Sequence, residues 1–306
     1  RNLCRKGYRI RVAVRNPHLA GDQRLAGDVG QVQIVQANVR NRPSIERALE
    51  GASGVVNLVG ILYEKGAQTF DGTQELGAKN VAELAAAAGI TNFVQMSAIG
   101  ASKDSNSSYA RTKAQAEADV KSYVPTATIV RPSIIFGAED GFFNRFAGMT
   151  RFTPALPAIG GGHTRFQPVY VGDVAEAIVA GLELPGTEGK TYELGGPETF
   201  TFRELLKYIL KEIDRPRFLL PLPFAIAKPM GYVMGAMFKL WPFSGPPLTG
   251  DQVELLKTDN VVGISGEDVG TLADLGVTEL ETIEAIVPGY LWPYRPQGQF
   301  HQPRNA

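Results

Sequence analysis

Short apolar segments alternate with helical segments along the N-terminal part of the chain, and this alternation constrains the fold more than any other feature of the sequence. The run Gly54-Val-Val-Asn-Leu-Val-Gly-Ile61 is almost continuously apolar, as is typical of a strand buried on both faces. An alanine-rich segment with helical spacing, residues 73–88, ends at Gly89, and residues 92–97 return to a strand pattern. Strands connected by helices pair in parallel and are covered on both faces. The sequence therefore predicts an α/β fold built on a doubly wound parallel sheet.

The same alternation continues on either side of that segment. Further strands are predicted at residues 9–15, 31–37, 126–131 and 168–171, and further helices at residues 44–50 (capped by Ser44), 108–122 and 173–182. We therefore expect a Rossmann-type domain over residues 1–195 and a smaller mixed C-terminal lobe over residues 196–287. Residues 288–306, rich in proline and aromatic side chains, cannot form a core of their own, so they are either disordered or, as we expect, extended against a partner.

The first segment of the chain resembles the end of a helix more than the start of a sheet. Residues 1–8 read as a helix tail capped by Gly7, which leads directly into a strand. A sheet of this type that binds a dinucleotide carries a glycine-rich loop between its first strand and first helix, and no such loop is present. The glycines at 160–162 and 195–196 have the wrong spacing and are predicted to form turns. We therefore expect the first strand and the glycine-rich loop to precede Arg1.

Charge and metal-ligand content exclude several classes of function. The chain has 31 basic and 31 acidic side chains, so its formal net charge of zero gives no long-range attraction to nucleic acid. A single cysteine, Cys4, excludes a disulfide framework, and the histidines His18, His163 and His301 are too far apart in sequence to suggest a ligand cluster. We expect neither a metal site nor a nucleic-acid partner.

Tyr109 and Lys113 are the residues with the clearest chemical meaning. Four residues of helix place the phenol and the ammonium on one face, where the cation favours the phenolate. Such a pair can move a proton to or from a carbonyl while the lysine also holds a ribose hydroxyl beside a nicotinamide. The alternative is a solvated helix face, because this spacing also arises by chance.

Other candidate residues follow the predicted strands, because ligands of a doubly wound sheet bind at the carboxyl ends of its strands. Arg15 follows the strand that normally ends in an acidic residue for the ribose of NAD, so an arginine there favours the 2′-phosphate of NADP. The alternative is a surface arginine at the end of a strand. Asn38 and Val39 end the next strand, and residues 58–60 end the third, where a glycine allows a dinucleotide to approach the backbone.

Four segments in this order resemble the atypical short-chain dehydrogenase/reductase superfamily: Gly54-Val-Val-Asn-Leu-Val-Gly60, Phe93-Val-Gln-Met-Ser-Ala98, Tyr109-x-x-x-Lys113 and Arg131-Pro-Ser-Ile-Ile-Phe-Gly137. Within it, three further segments resemble the NADPH-binding accessory subunits of respiratory complex I, the alpha subcomplex subunit nine family. They are residues 132–149, Gln167-Pro-Val-Tyr-Val-Gly-Asp-Val174, and Trp241-Pro-Phe-Ser-Gly-Pro-Pro247 with the following Asp251-Gln-Val-Glu254.

The resemblance implies a tightly held NADPH in a subunit of the peripheral arm, near the quinone site and in contact with other complex I subunits. It implies a peripheral location on the cytoplasmic face of a bacterial inner membrane or on the matrix side of the mitochondrial one. It also implies a role for each candidate residue. Arg15 would meet the 2′-phosphate, Asn38 and Val39 the adenine, Leu58, Val59 and Gly60 the pyrophosphate and ribose, Tyr109 and Lys113 the nicotinamide ribose, and Pro132, Ser133 and Ile134 the carboxamide.

One departure from the catalytic relatives concerns residues 97 and 98. Catalytic members carry a serine or threonine just past the strand-end serine, and here that position is Ala98, which leaves Ser97 as the structural serine. Loss of one oxyanion donor typically lowers a rate by about 10²- to 10³-fold, so the resemblance implies bound cofactor without turnover. If the alignment with the catalytic relatives is shifted by one residue, Ser97 takes the catalytic position. The chain would then be an active NADP-dependent reductase or epimerase. A scaffold with an empty pocket is a further alternative.

Residues 223–243 are apolar and contain only two lysines. Pro229 and the short length argue against a membrane-spanning helix. Methionine and aromatic side chains suit adaptable interfaces, so this segment is predicted to contact lipid or a neighbouring subunit. The alternative is ordinary core of the C-terminal lobe.

Overall fold

The computed structural model describes residues 1–239 and 248–300. In chain order the strands are β1 (Ile10–Val14), β2 (Val32–Gln36), β3 (Gly54–Asn57), β4 (Asn92–Met96), β5 (Thr128–Pro132), β6 (Ile135–Phe136), β7 (Ala155–Ile159), β8 (Arg165–Phe166), β9 (Val169–Tyr170), β10 (Thr191–Leu194), β11 (Phe200–Thr201) and β12 (Phe218–Leu222). The α-helices are α1 (Asn2–Arg5), α2 (Arg42–Leu49), α3 (Leu76–Ala87), α4 (Ser108–Tyr123), α5 (Phe143–Met149), α6 (Val171–Glu183), α7 (Phe202–Glu212), α8 (Phe224–Lys239), α9 (Gly250–Leu255), α10 (Ile283–Ile286) and α11 (Pro288–Leu291).

The main sheet is parallel and has the strand order β10-β5-β4-β3. Strands β1 and β2 form a separate parallel pair, in which Ile10 lies opposite Val32. The predicted parallel α/β architecture is therefore confirmed, but its strands are divided among separate sheets, since β6 also pairs with β9 and β7 with β12, both in parallel. Neither β1 nor β3 hydrogen-bonds to the other, so each is an edge strand on that side.

Apolar side chains alternate between the two faces of the main sheet, as the period of a strand requires. Phe93 and Ile129 face the core formed with α2, α3 and α4. Their neighbours Val94 and Val130 face the core formed with α6. All five residues of β5 are buried. A sheet with helices on both faces is the arrangement expected of a doubly wound fold.

The end of β3 and the start of α2 differ from the prediction. In both places an asparagine side chain accepts a hydrogen bond from a nearby backbone amide and so sets the boundary of the element. The strand predicted to run to Ile61 ends at Asn57, whose side-chain oxygen accepts from the amide of Val59 and turns the chain. The second helix begins at Arg42 rather than Ser44, since Asn41 is its cap and accepts from the amide of Ser44 at 3.0 Å. Both are Asx contacts, which compete with continued regular structure.

A buried ion cluster connects the main sheet to its surroundings. Arg131, on β5, donates to both carboxylate oxygens of Glu117 on α4, at 2.9 and 2.7 Å. It also donates to Glu267 at 2.6 Å and lies 3.9 Å from the carboxylate of Glu193 on β10. Glu193 is fully buried. A charge in such a position requires its partners, because burying it alone is costly.

The C-terminal lobe shares its apolar core with the segment before it, since Phe143 of α5 packs there with Phe202, Leu205 and Leu291. Part of the tail belongs to this core, which corrects the prediction that residues 288–306 lie extended against a partner. Residues 288–300 instead form α11 and two short 3₁₀ turns. The hydroxyl of Tyr290 donates to Asp140 at 2.5 Å, and the aromatic side chains thus find apolar and polar partners within the chain. Residues 301–306 lie outside the described part.

Candidate functional site

The carboxyl ends of β3 and β4 meet at Lys113, which α4 presents to them. The Nζ of Lys113 donates to the carbonyl of Met96, the last residue of β4, at 3.1 Å. A β-carbon placed on Gly60, in the loop after β3, would lie 3.3 Å from the same nitrogen. The Lys113 side chain is buried, with a relative exposure of 3%. The structure therefore brings the predicted residues Gly60 and Lys113 together, next to Ser97.

The electrostatics of the pair differ from the arrangement expected of a proton relay. Burial lowers the pKa of Lys113 to about 8, with Glu117 acting in the opposite direction. Burial, helped by the charge of Asp251, raises the pKa of Tyr109 to about 12. The Lys113 nitrogen lies 6.0 Å from the centre of the Tyr109 ring, which packs edge-on against Phe70. At neutral pH Tyr109 is a protonated hydrogen-bond donor rather than a phenolate.

Three buried side-chain oxygens in this region have no hydrogen-bond partner among the described residues: Thr73 Oγ1, Gln74 Oε1 and Ser97 Oγ. Gln74 uses its amide nitrogen to donate to Thr112, and its free oxygen would lie 3.7 Å from a β-carbon on Gly60. Unpaired buried polar groups cost about 1–3 kcal/mol each. Unpaired oxygens, a buried ammonium and a glycine without a side chain fit a ligand rich in hydroxyl groups, such as the ribose of a dinucleotide.

Sequence reasoning missed Thr73 and Gln74. They lie on a π-helical turn, Asp71–Glu75, that precedes α3, whereas a regular helix was predicted from residue 73. Turns of this type often occur at functional sites, because they direct side chains away from the regular helical positions. The signal available in the sequence is two polar residues at the start of an alanine-rich helix.

The residues predicted to meet the adenosine half lie on the separate β1–β2 pair. Arg15 follows β1, and its side chain is exposed. Asn38 follows β2, and its side-chain oxygen accepts from the amide of Arg40 at 3.1 Å. The Val39 carbonyl accepts from Asn80 on α3. Asn38 and Val39 thus have structural contacts, and their contact with adenine stays a prediction.

The remaining predicted positions are divided between the strand ends and the C-terminal lobe. Leu58 is exposed and Val59 half-buried in the loop after β3. Pro132 ends β5, and Ile134 packs against the C-terminal core. Ser133 donates to the side chain of Asn260 at 2.7 Å, so its hydroxyl is already bonded to the C-terminal lobe. A role for these residues at a carboxamide or pyrophosphate stays a prediction.

A carboxylate of the C-terminal lobe, that of Asp251, lies beside Tyr109 and bonds to the turn that carries it. Asp251, in the first turn of α9, accepts from the hydroxyl of Ser107 at 2.8 Å and from the amides of Ser108 and Tyr109 at 2.6 and 3.3 Å. These donors form the first turn of α4. The sequence gives no local signal for this contact, since the partners are more than 140 positions apart.

The fold is of the Rossmann type, and a family model described as NAD(P)H-binding matches residues 1–183, which places the chain in the NAD(P)H-binding class. Two mitochondrial proteins named NADH dehydrogenase [ubiquinone] 1 alpha subcomplex subunit 9 are similar to the chain. The one from Arabidopsis thaliana is 41% identical over 245 residues, which cover 78% of this chain and 61% of the relative. The one from Mus musculus is 35% identical over 268 residues, covering 86% and 69%. The chain belongs to this subunit 9 family, which confirms the resemblance in its sequence.

A solved structure shows the same fold. UDP-glucuronic acid 4-epimerase from Bacillus cereus superposes with a TM-score of 0.67 at 16% identity, covering 95% of this chain and 94% of that one. This similarity concerns the fold alone. The matched region of the Arabidopsis protein is 61% of its length, so the chain spans less than two thirds of that relative.

Proposed function

We propose that the chain is an accessory subunit of respiratory complex I that holds NADPH in the peripheral arm, near the quinone site, and stabilises the assembly there. The observation that carries the proposal is its 41% identity to a relative named as a subunit of NADH dehydrogenase [ubiquinone]. The unpaired oxygens around Lys113 support a bound nucleotide, because a ligand rich in hydroxyl groups would satisfy them. Its partners are then the neighbouring subunits of the arm.

The choice of NADPH over NADH rests on Arg15. Its guanidinium is exposed at the end of β1 and makes no ion pair with a carboxylate among residues 1–239 and 248–300. An arginine without a carboxylate partner at this position suits a 2′-phosphate, whereas an acidic residue would suit the free ribose hydroxyls of NADH.

Retention of the cofactor without turnover is supported by two features. Ala98 lacks a hydroxyl where catalytic relatives have one, and the pKa of Tyr109 lies well above neutrality. A proton donor works best when its pKa is near the working pH, so this phenol is a weak acid for carbonyl reduction. The second candidate function, an active NADP-dependent reductase or epimerase, is favoured by the Tyr109 and Lys113 pair itself.

Attachment to a membrane surface is supported by helix α8. Its side chains Ile226, Tyr232, Val233 and Met237 are each more than half exposed, although all four are apolar or aromatic. No helix within the described ranges is long and apolar enough to cross a bilayer. An exposed apolar helix face suits the boundary between the headgroups and acyl chains of a bilayer, or a neighbouring subunit, on the matrix side of the mitochondrial inner membrane or on the cytoplasmic face of a bacterial one. Residues 240–243 of the predicted contact segment lie outside the described residues.

The bound nucleotide can be identified directly. The full-length protein is purified from its native membranes and denatured, and the supernatant is analysed by mass spectrometry. The proposal predicts NADPH at close to one mole per mole of chain, and no oxidation of that NADPH by a panel of aldehydes, ketones and nucleotide sugars. Oxidation at ordinary enzyme rates, about 1–10³ s⁻¹, would establish the reductase instead. Absence of any dinucleotide would leave only a scaffold.

A further inference from the structure

Helix α4 carries Tyr109 and Lys113. Its first turn donates hydrogen bonds to a carboxylate of the C-terminal lobe, that of Asp251. Both oxygens of Asp251 accept hydrogen bonds from this first turn, from Ser107, Ser108 and Tyr109. The Ser107 hydroxyl is at the same time the cap of α4, since it accepts from the amide of Ala110 at 3.2 Å. Charge-assisted bonds to helix-terminal amides are among the stronger hydrogen bonds of proteins.

Asp251 is in turn held by the packing of α9 against α8. Gly231 of α8 lies so close to α9 that a β-carbon there would approach the amide nitrogen of Gly250 to 2.8 Å. Lys228 of α8 forms an ion pair with Glu254 of α9 at 2.8 Å. The position of Asp251 therefore depends on the helix whose exposed apolar face includes Ile226 and Met237.

From these contacts we infer that Asp251 is a positioning residue for the nucleotide site: it fixes the first turn of α4 to the α8–α9 pair, and so couples nucleotide retention to the C-terminal lobe. The inference rests on the proposed nucleotide site and goes beyond it, since Asp251 itself need not touch the nucleotide. Coupling between two sites is reciprocal. A partner that orders α8 should slow nucleotide release, and bound nucleotide should protect α8 and α9 from amide exchange.

The Asp251→Ala variant tests this inference, with Asp140→Ala as a matched control. Asp140 also accepts hydrogen bonds at the start of a helix, from the amides of Phe142 and Phe143, but that helix is α5, which packs in the core of Phe202 and Leu291 rather than against the nucleotide site. Both variants lose a comparable set of amide contacts, so they should lose comparable stability. Nucleotide release is followed by the fluorescence of bound NADPH after dilution, and amide exchange is measured at residues 108–110.

We expect Asp251→Ala to release nucleotide at least about tenfold faster than the unmodified protein, and Asp140→Ala to release it at the unmodified rate. Exchange at residues 108–110 should rise in Asp251→Ala alone. Asp251→Asn, which retains one acceptor oxygen, should give an intermediate rate, and it replaces the alanine variant if that protein does not fold. Equal release rates for Asp251→Ala and Asp140→Ala would overturn the inference.

Failure of the proposed function has a different signature. If the unmodified protein holds no dinucleotide, the proposed function fails, and amide exchange in the nucleotide-free protein then decides the inference. Faster exchange at residues 108–110 in the Asp251→Ala variant alone would uphold Asp251 as the residue that positions this turn. Exchange unchanged from that of the unmodified protein would refute it.

Discussion

The ammonium of Lys113 donates its hydrogen bond to the main-chain carbonyl of Met96, 3.1 Å away at the end of β4. A lysine bonded to a strand end is held in place rather than left free to follow a substrate. The Tyr109 ring lies 6.0 Å from this nitrogen and packs on Phe70. This geometry supports the proposed role of the two residues, which is to hold a ribose rather than to share a proton.

Replacing Tyr109 by phenylalanine removes one hydroxyl and keeps the packing against Phe70. Since a single hydrogen bond contributes about 0.5–1.5 kcal/mol, nucleotide release should accelerate roughly 2- to 10-fold. Tyr123→Phe, at the other end of α4, is the control and should leave the release rate unchanged. In an active reductase the same change would instead abolish carbonyl reduction, and that result would contradict the holding role.

Replacing Gly60 by valine fills the space beside Lys113. A β-carbon at this position lies 3.3 Å from Nζ and 3.7 Å from the free oxygen of Gln74, so the larger side chain should obstruct the nucleotide. We expect loss of most bound NADPH in mass spectrometry, with little difference in melting temperature between the nucleotide-free variant and the nucleotide-free unmodified protein. Gly21→Ala, which meets no atom within 4 Å, is the control. Full occupancy in Gly60→Val would exclude this loop from the site.

The buried ammonium of Lys113 makes stability depend on pH. Its folded-state pKa of about 8 lies below the unfolded value near 10.5, so between these pH values the unfolded chain binds more protons and stability rises with pH. Below pH 8 the buried charge destabilises the fold by up to roughly 3 kcal/mol. Lys113→Met should therefore stabilise the nucleotide-free protein at pH 7, and by less at pH 10.

Denaturant unfolding of the nucleotide-free proteins at pH 7 and pH 10 measures this difference. Lys121→Met, on the same helix, controls for the general loss of a lysine. A stability gain in Lys113→Met that is the same at both pH values would show that the ammonium is not desolvated.

Arg131 should be among the most sensitive positions in the fold. Replacing it by methionine leaves Glu117 and Glu193 buried without their cation, which typically costs about 3–5 kcal/mol. Arg42→Met is the control, because its ion pair with Glu83 is partly exposed to solvent and should contribute little. Equal effects of the two substitutions on the free energy of unfolding would contradict the buried cluster.

Local patterns in the sequence predicted more of the fold than of the candidate site. The buried strands around Val94 and Ile129 and the face shared by Tyr109 and Lys113 follow from periodicity alone. The Asp251 contact could not be predicted, because it joins segments that only the folded chain brings together. The unpaired oxygens of Thr73 and Gln74 depend on a π-helical turn that the spacing of apolar residues does not reveal.

The core position of Leu291 could not be predicted for a similar reason. A tail rich in proline and aromatic residues has no periodicity of its own, and its order comes from the lobe onto which it folds.

The end of β3 at Asn57, by contrast, could have been predicted. Its side chain ends a strand by accepting from Val59, a signal that was present in the apolar run as its one polar residue.

Membership of complex I is tested most directly by fractionating gently solubilised native membranes by size and following this chain and NADH:quinone activity across the same fractions. We predict that the chain migrates with the activity at the size of the intact complex, and that the nucleotide released by denaturing this fraction includes NADPH in proportion to the chain. Recovery of the chain only as a free monomer or dimer, in fractions without NADH:quinone activity, would contradict the proposed function.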